Sequence, residues 1–319
     1  MKILIYGAGV IGCTYGWQLA KTGCDISILV RKGKKQEIEE RGINIHCTDL
    51  REGKRNIQNT IFQPRVIDTL SADNDFDYII VTTNNLNLDD VLMTLKEFAG
   101  KAHILFFQNM WIDEIEKIKN HLSSEQYFFG FPFMAGGGKD QNGINSIISG
   151  SKYSQTMLGE VTGETTPRVQ EIASVLLKAN MKPFISKDIV TWLVPHCAFM
   201  AGIAAGVIME GGKMKDFLNN SKTVKKSIRA IRDGFHVCEA MGINPKKEKV
   251  NKLYYLPLFF SSPIVKKVFS DDAMQAMFDG YLRKSTEEVK RMIVNIIQSS
   301  QKFNIPTPYL RDLDEKMKK

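Results

Sequence analysis

Three glycines lie in Gly7-Ala8-Gly9-Val10-Ile11-Gly12, directly after the apolar run Ile3 to Tyr6 and at the start of a helix-compatible stretch. In that context the spacing describes a phosphate cradle. The first glycine permits the tight turn, the second lets backbone approach a pyrophosphate, and the third lets the helix pack close to the strand. The helix start adds unpaired N–H groups and its positive dipole end. A ligand-free glycine turn is the plain alternative. The next apolar run, Ile26 to Val30, leads into Arg31, Lys32, Lys34 and Lys35. An NAD(H) site usually has an Asp or Glu about twenty residues after the loop, on the ribose hydroxyls. Cations occupy that tip here, and the planar fork of Arg31 can chelate a 2′-phosphate and stack on adenine. The expected ligand is therefore NADP(H) rather than NAD(H), the bland alternative for Arg31 being a solvated basic turn.

A loop of this kind has to be held by a parallel sheet with crossover helices. Strand-like runs at Ile3 to Tyr6, Ile26 to Val30, Tyr78 to Thr82 and His103 to Phe107 alternate with helical stretches. Between the last two, Leu88, Val91, Leu92 and Leu95 share one helical face. Tyr127 to Phe133, Ile144 to Ser149 and Thr156 to Leu158 read as further strands, with Gly136-Gly137-Gly138 as a turn. After about residue 187 the pattern changes. Ser221 to Met241, Asp272 to Phe303 and the segment from Pro308 read as amphipathic helices, with Gly242 as a stop. The expected fold is α/β: an N-terminal Rossmann-type dinucleotide-binding domain over residues 1–186 and an all-helical substrate or dimerisation domain over 187–319.

Bulk composition restricts the function classes. The net charge is +8, but Lys and Arg are spread along the chain and no basic motif studded with aromatics occurs, which argues against nucleic acid. Such a balance suits a phosphate-rich cofactor and an anionic substrate. Five scattered cysteines form no C-x-x-C pair and no zinc spacing, so no metal site is expected, and free thiols in a reducing cytoplasm are. Ile189 to Met209 carries no formal charge and is long enough to span a bilayer. Pro195, His196 and several small residues interrupt it, and it reads as a buried core helix of a protein without a membrane partner.

Taken together, the loop, Arg31 and the helical second half resemble the ketopantoate reductase family over nearly the whole chain. The likeness continues through Gln108-Asn109-Met110, Leu158-Gly159-Glu160, Asp188-Ile189 before Trp192, Thr286-Glu287-Glu288 and Thr307-Pro308. The resemblance implies reduction of a 2-keto acid by NADPH, with Asn109 near the nicotinamide and substrate and Glu288 as the acid that binds substrate. It also implies a lysine two residues after the tryptophan and two asparagines at four-residue steps. This chain has Val194, Ala198 and Gly202 there, Ala276 where a hydroxyl is expected, and Asn84 in place of another lysine near the cofactor.

Valine cannot donate a proton, so the loss touches the general acid of the expected reaction. His196 is a nearby candidate acid, with a buried structural histidine as the alternative; Lys187 is a more distant candidate. The expected function is NADPH-dependent hydride transfer to a small 2-keto acid or related carbonyl compound. The competing reading is a catalytically silent NADP(H)-binding sensor or regulator of the same fold. A homodimer through the helical domain is left open.

Overall fold

The computed structural model describes residues 1–318. It divides into two compact units, one made of Met1–Gln108 and Glu116–Ile189, the other of Asn109–Ile115 and the chain from Val190 onward.

In chain order the first unit holds β1 (Lys2–Tyr6), α1 (Val10–Ala20), β2 (Asp25–Leu29), α2 (Lys35–Arg41), β3 (Ile43–Asp49), β4 (Asn56–Phe62), β5 (Arg65–Ile67) and β6 (Tyr78–Val81). It continues with α3 (Leu88–Phe98), β7 (His103–Phe107), most of α4 (Ile112–His121), β8 (Tyr127–Pro132), β9 (Ala135–Asp140), β10 (Gly143–Ile148), β11 (Thr156–Gly159), α5 (Pro167–Lys178) and β12 (Pro183–Ile185). Eight strands form one sheet in the order β12-β11-β8-β7-β6-β1-β2-β5, parallel from β5 through to β8. This is the doubly wound arrangement, and the strand order reverses beside β1, where such folds bind ligands at the carboxyl ends of their strands. Ile3, Leu4 and Ile5 are fully buried, as expected of a central parallel strand covered on both faces.

A second sheet, β4-β3-β10-β9, packs against α1. That packing explains why α1, VIGCTYGWQLA, has no charged side chain. A helix covered on nearly every side cannot afford one. Its Cys13, Tyr15 and Leu19 join Ile3 and Ile5 of β1, Ile45 of β3 and Ile144 of β10 in one apolar core. The expected turn at Gly136-Gly137-Gly138 is instead the body of β9. Gly137 has φ of +128°, and a Cβ there would lie 2.1 Å from the Asn145 carbonyl oxygen of the paired strand. The glycines serve close strand approach rather than a reversal of the chain.

The second unit is helical throughout its described residues from Val190, with α6 (Ile189–Met209) beginning one residue earlier. It goes on through α7 (Met214–Asn219), α8 (Ser221–Ala240), α9 (Lys252–Tyr255), α10 (Leu258–Val268), α11 (Asp272–Leu282), α12 (Thr286–Lys302) and α13 (Pro308–Met317). Helix α6 is the core helix, and the most apolar part of it is 72% buried. The single helix expected over Asp272 to Phe303 is broken between Leu282 and Thr286. Ser285 followed three residues later by Glu288 is a helix-start pattern, and α12 begins there. The hydroxyl of Ser285 makes no capping bond, however; it turns to the Glu288 carboxyl.

Candidate active site

At the carboxyl end of β1 the chain makes the turn that the glycines require. Gly7 has φ of +120° and lies against Thr83. A Cβ on Gly12 would sit 2.2 Å from the Gly7 carbonyl oxygen and 2.8 Å from Ile5, so any side chain would push α1 off the strand. Gly9 differs. Its backbone is ordinary, with φ of −85°, and a Cβ would meet nothing within 4 Å. Nothing in the protein demands glycine there, which leaves close approach of a ligand as its reason. Helix α1 has no side-chain cap and no acidic residue in its first turn, so its first N–H groups face outward with the positive dipole end. Thr82 fixes the loop by donating from Oγ1 to the Gly7 carbonyl at 3.0 Å. The residues present therefore fit a dinucleotide pyrophosphate, and Gly7, Ala8, Gly9, Val10, Ile11 and Gly12 are the ones that would hold it.

Arg31 follows β2 by two residues and is exposed, and its guanidinium has no partner among the described residues. Lys34 and Lys35, by contrast, are paired with Glu37 and Glu39. Lys139 is a cation that sequence reasoning missed. Its Nζ donates to the Ala8 carbonyl at 3.5 Å, brought there by β9 packing on α1. No local signal pointed to it, because 131 residues separate the two. Asn84 is exposed at the end of β6, where its carbonyl accepts from Gln108 Nε2 at 3.2 Å.

The second unit gathers a different set. The segment Asn109–Ile115 lies along α12. Asn109 Nδ2 donates to Glu288 Oε1 at 3.1 Å, Trp111 Nε1 donates to Ser299 Oγ at 2.8 Å, and Asn295 Nδ2 donates to Glu114 Oε1 at 2.5 Å. Lys302 pairs with Asp113. Residues 288, 295, 299 and 302 recur at steps of seven, four and three, which is one face of a helix. Glu288 is 5% exposed. Its carboxyl takes hydrogen bonds from Asn109, Tyr281 and Ser285, and burial nonetheless pushes its pKa above the ordinary carboxylate range. Neighbouring Glu287 is exposed and pairs with Lys290. Tyr281 also lies 3.4 Å from Asn109 Nδ2; burial and the adjacent Glu288 hold its hydroxyl firmly protonated. Sequence reasoning missed Tyr281 and Ser285, since the helix break places them at the carboxyl in a way that continuous helical spacing does not describe.

Val194 and Ala198 are fully buried. A Cβ on Gly202 would sit 2.6 Å from Ile231 of α8, and one on Gly234 of α8 would sit 2.8 Å from Ala198 Cβ. Positions 198 and 202 thus serve helix packing, where the resemblance implied asparagines. His196 stacks on Trp192 with ring centroids 4.7 Å apart. Burial lowers its pKa to about 3, which keeps the ring neutral at physiological pH, so this environment does not support an imidazolium acid. The Leu158-Gly159-Glu160 element is structural. Glu160 makes a two-point ion pair with Arg168 at 2.7 and 2.6 Å, and Arg168 also bonds the carbonyls of Ser124 and Tyr127.

Residues 3–162 match the family model described as ketopantoate reductase PanE/ApbA. An uncharacterized oxidoreductase of Bacillus subtilis, YkpB, is 25% identical over 190 residues, covering 59% of this chain and 58% of that protein. A 2-dehydropantoate 2-reductase of Pyrococcus abyssi is 23% identical over 248 residues, covering 76% of this chain and 75% of that enzyme. Among solved structures, the ternary complex of D-mandelate dehydrogenase with NADH and anilino(oxo)acetate aligns with a TM-score of 0.76 at 17% identity, covering 100% of this chain and 97% of that one.

Proposed function

The chain belongs to the ketopantoate reductase PanE/ApbA family, and from that premise we propose that it is an NADPH-dependent oxidoreductase acting on a small 2-keto acid or related carbonyl compound. The observation that carries the reading is Gly9, a position kept free of a side chain although the protein leaves room for one. NADPH, when bound, supplies the hydride. The protein's own part begins with the glycine loop and the start of α1, which would hold the pyrophosphate. The exposed guanidinium of Arg31 would take the 2′-phosphate, and Lys139 adds positive charge beside the loop. Asn109 and Glu288, fixed to each other, offer hydrogen bonds to a carbonyl substrate and its neighbouring oxygen atoms. With α6 as a buried core helix, the reading includes a soluble cytoplasmic protein.

A second reading is favoured by one specific observation. With Val194 buried and His196 neutral, neither residue can supply a proton, which suits a silent NADP(H)-binding sensor. Steady-state oxidation of NADPH with a panel of 2-keto acids, ketopantoate included, separates the two. Hydride transfer predicts turnover on the order of 1–10³ per second with at least one of them. Tight NADPH binding with only background oxidation across the panel would establish the sensor.

A further inference from the structure

Glu288 is a buried acid with no cationic partner among the described residues. Its carboxyl meets the amide of Asn109 and the hydroxyls of Tyr281 and Ser285. The buried Cys197 thiol of α6 has its pKa raised by burial and then by the charges of Glu114, Cys238 and Glu288, and Glu114 is itself a buried acid. Among the described residues, no lysine or arginine is a cause of the shift at the Glu288 carboxyl. Burying a lone carboxylate is costly, and such a group normally keeps its proton instead. Val194 stands where the resemblance implies a lysine, so position 194 brings no cation to this carboxyl, and burial raises its pKa.

We propose that the Glu288 carboxyl, aligned by Asn109 and Tyr281, is the proton donor for the alkoxide formed on a carbonyl substrate. The proposal rests on the hydride-transfer reading above. In the step, hydride delivered from NADPH forms a C–H bond at the carbonyl carbon, and the π pair of C=O moves onto oxygen. The O–H bond of Glu288 breaks and a new O–H bond forms on substrate. The products are the hydroxy compound, NADP⁺ and the Glu288 carboxylate, which recovers its proton from water before the next turnover. Asn109 is a positioning residue, holding the carboxyl by Oε1; Tyr281 stays protonated and shares the same carboxyl.

Infrared difference spectroscopy of the ligand-free protein across a pH titration provides a readout independent of activity. A protonated-carboxyl carbonyl band at pH 7 that vanishes in Glu288→Gln is expected, and Tyr281→Phe should move its titration midpoint. In kinetics, Glu288→Gln should lose on the order of 10²–10⁴-fold in kcat, with NADPH affinity unchanged, and Glu288→Asp should recover part of the loss. Wild-type activity should fall as pH rises through the same midpoint. Wild-type turnover that survives Glu288→Gln with an unchanged pH profile would overturn the donor role alone, as would a Glu288 that is ionised at pH 7. A wild type that oxidises NADPH with no carbonyl compound would overturn the hydride-transfer reading, and the donor role with it.

Discussion

The exposed guanidinium of Arg31, two residues beyond β2, has no partner among the described residues, and its planar fork suits a phosphate. Charge-assisted hydrogen bonds contribute about 1.5–3 kcal/mol. Arg31→Ala should therefore weaken NADPH by roughly ten- to a hundredfold and leave NADH nearly untouched; equal losses for both would remove the 2′-phosphate assignment. Glu114 shows the opposite situation, a carboxyl whose proton belongs to the fold. Burial raises its pKa from 4.5 to about 7, against the lowering effect of the Trp111 N–H. Between those two values the unfolded chain has lost the proton and the folded chain has kept it, so stability falls as pH rises through the window and levels off above it. The span amounts to roughly 3 kcal/mol, at about 1.4 kcal/mol per unit. Asp233, raised by burial to about 6, acts in the same direction. Chemical denaturation from pH 4.5 to 8 should show a shallower decline for Glu114→Gln than for the wild type, and identical slopes would contradict the assignment.

The glycines of the first loop are not equivalent, and a pair of variants at the element scale tells their roles apart. Gly12→Ala forces a Cβ to 2.2 Å from a backbone oxygen; overpacking of this kind costs about 1–3 kcal/mol and should lower the melting temperature. Gly9→Ala meets no protein atom and should melt like the wild type, yet lose at least about tenfold in NADPH affinity, given the close approach the loop is built for. Unaltered binding by Gly9→Ala would mean the glycine has no ligand to accommodate. Elements of this first kind were legible in the sequence because local pattern and final role agree. His103–Phe107 and Leu88–Phe98 have the bounds their periodicity implies. Legibility failed where tertiary contact decides. Gly136 to Gly138 look like a turn until β10 lies beside them. The gap between α11 and α12 is hidden by a continuous amphipathic run. The strands β3 and β4 lie outside the expected elements, although burial along β3 alternates for most of its length.

At the scale of the whole molecule, the family and the α/β class with a helical second part were readable from the order and spacing of short motifs. The place of Asn109 was not. Asn109 belongs with the helical unit although the whole stretch Glu116–Ile189 separates its segment from the rest of that unit. That assignment depends on the stripe of α12 contacts through Glu288, Asn295 and Ser299. The first unit thus carries the nucleotide cradle, and the second carries the acid, amide and hydroxyls suited to a carbonyl. Everything chemical proposed for the second depends on the first binding its nucleotide. Calorimetric titration of the wild-type protein with NADPH and, separately, with NADH is the most direct trial. Saturable binding of NADPH, tighter than that of NADH, is the predicted result; no detectable affinity for either, or a preference for NADH, would contradict it.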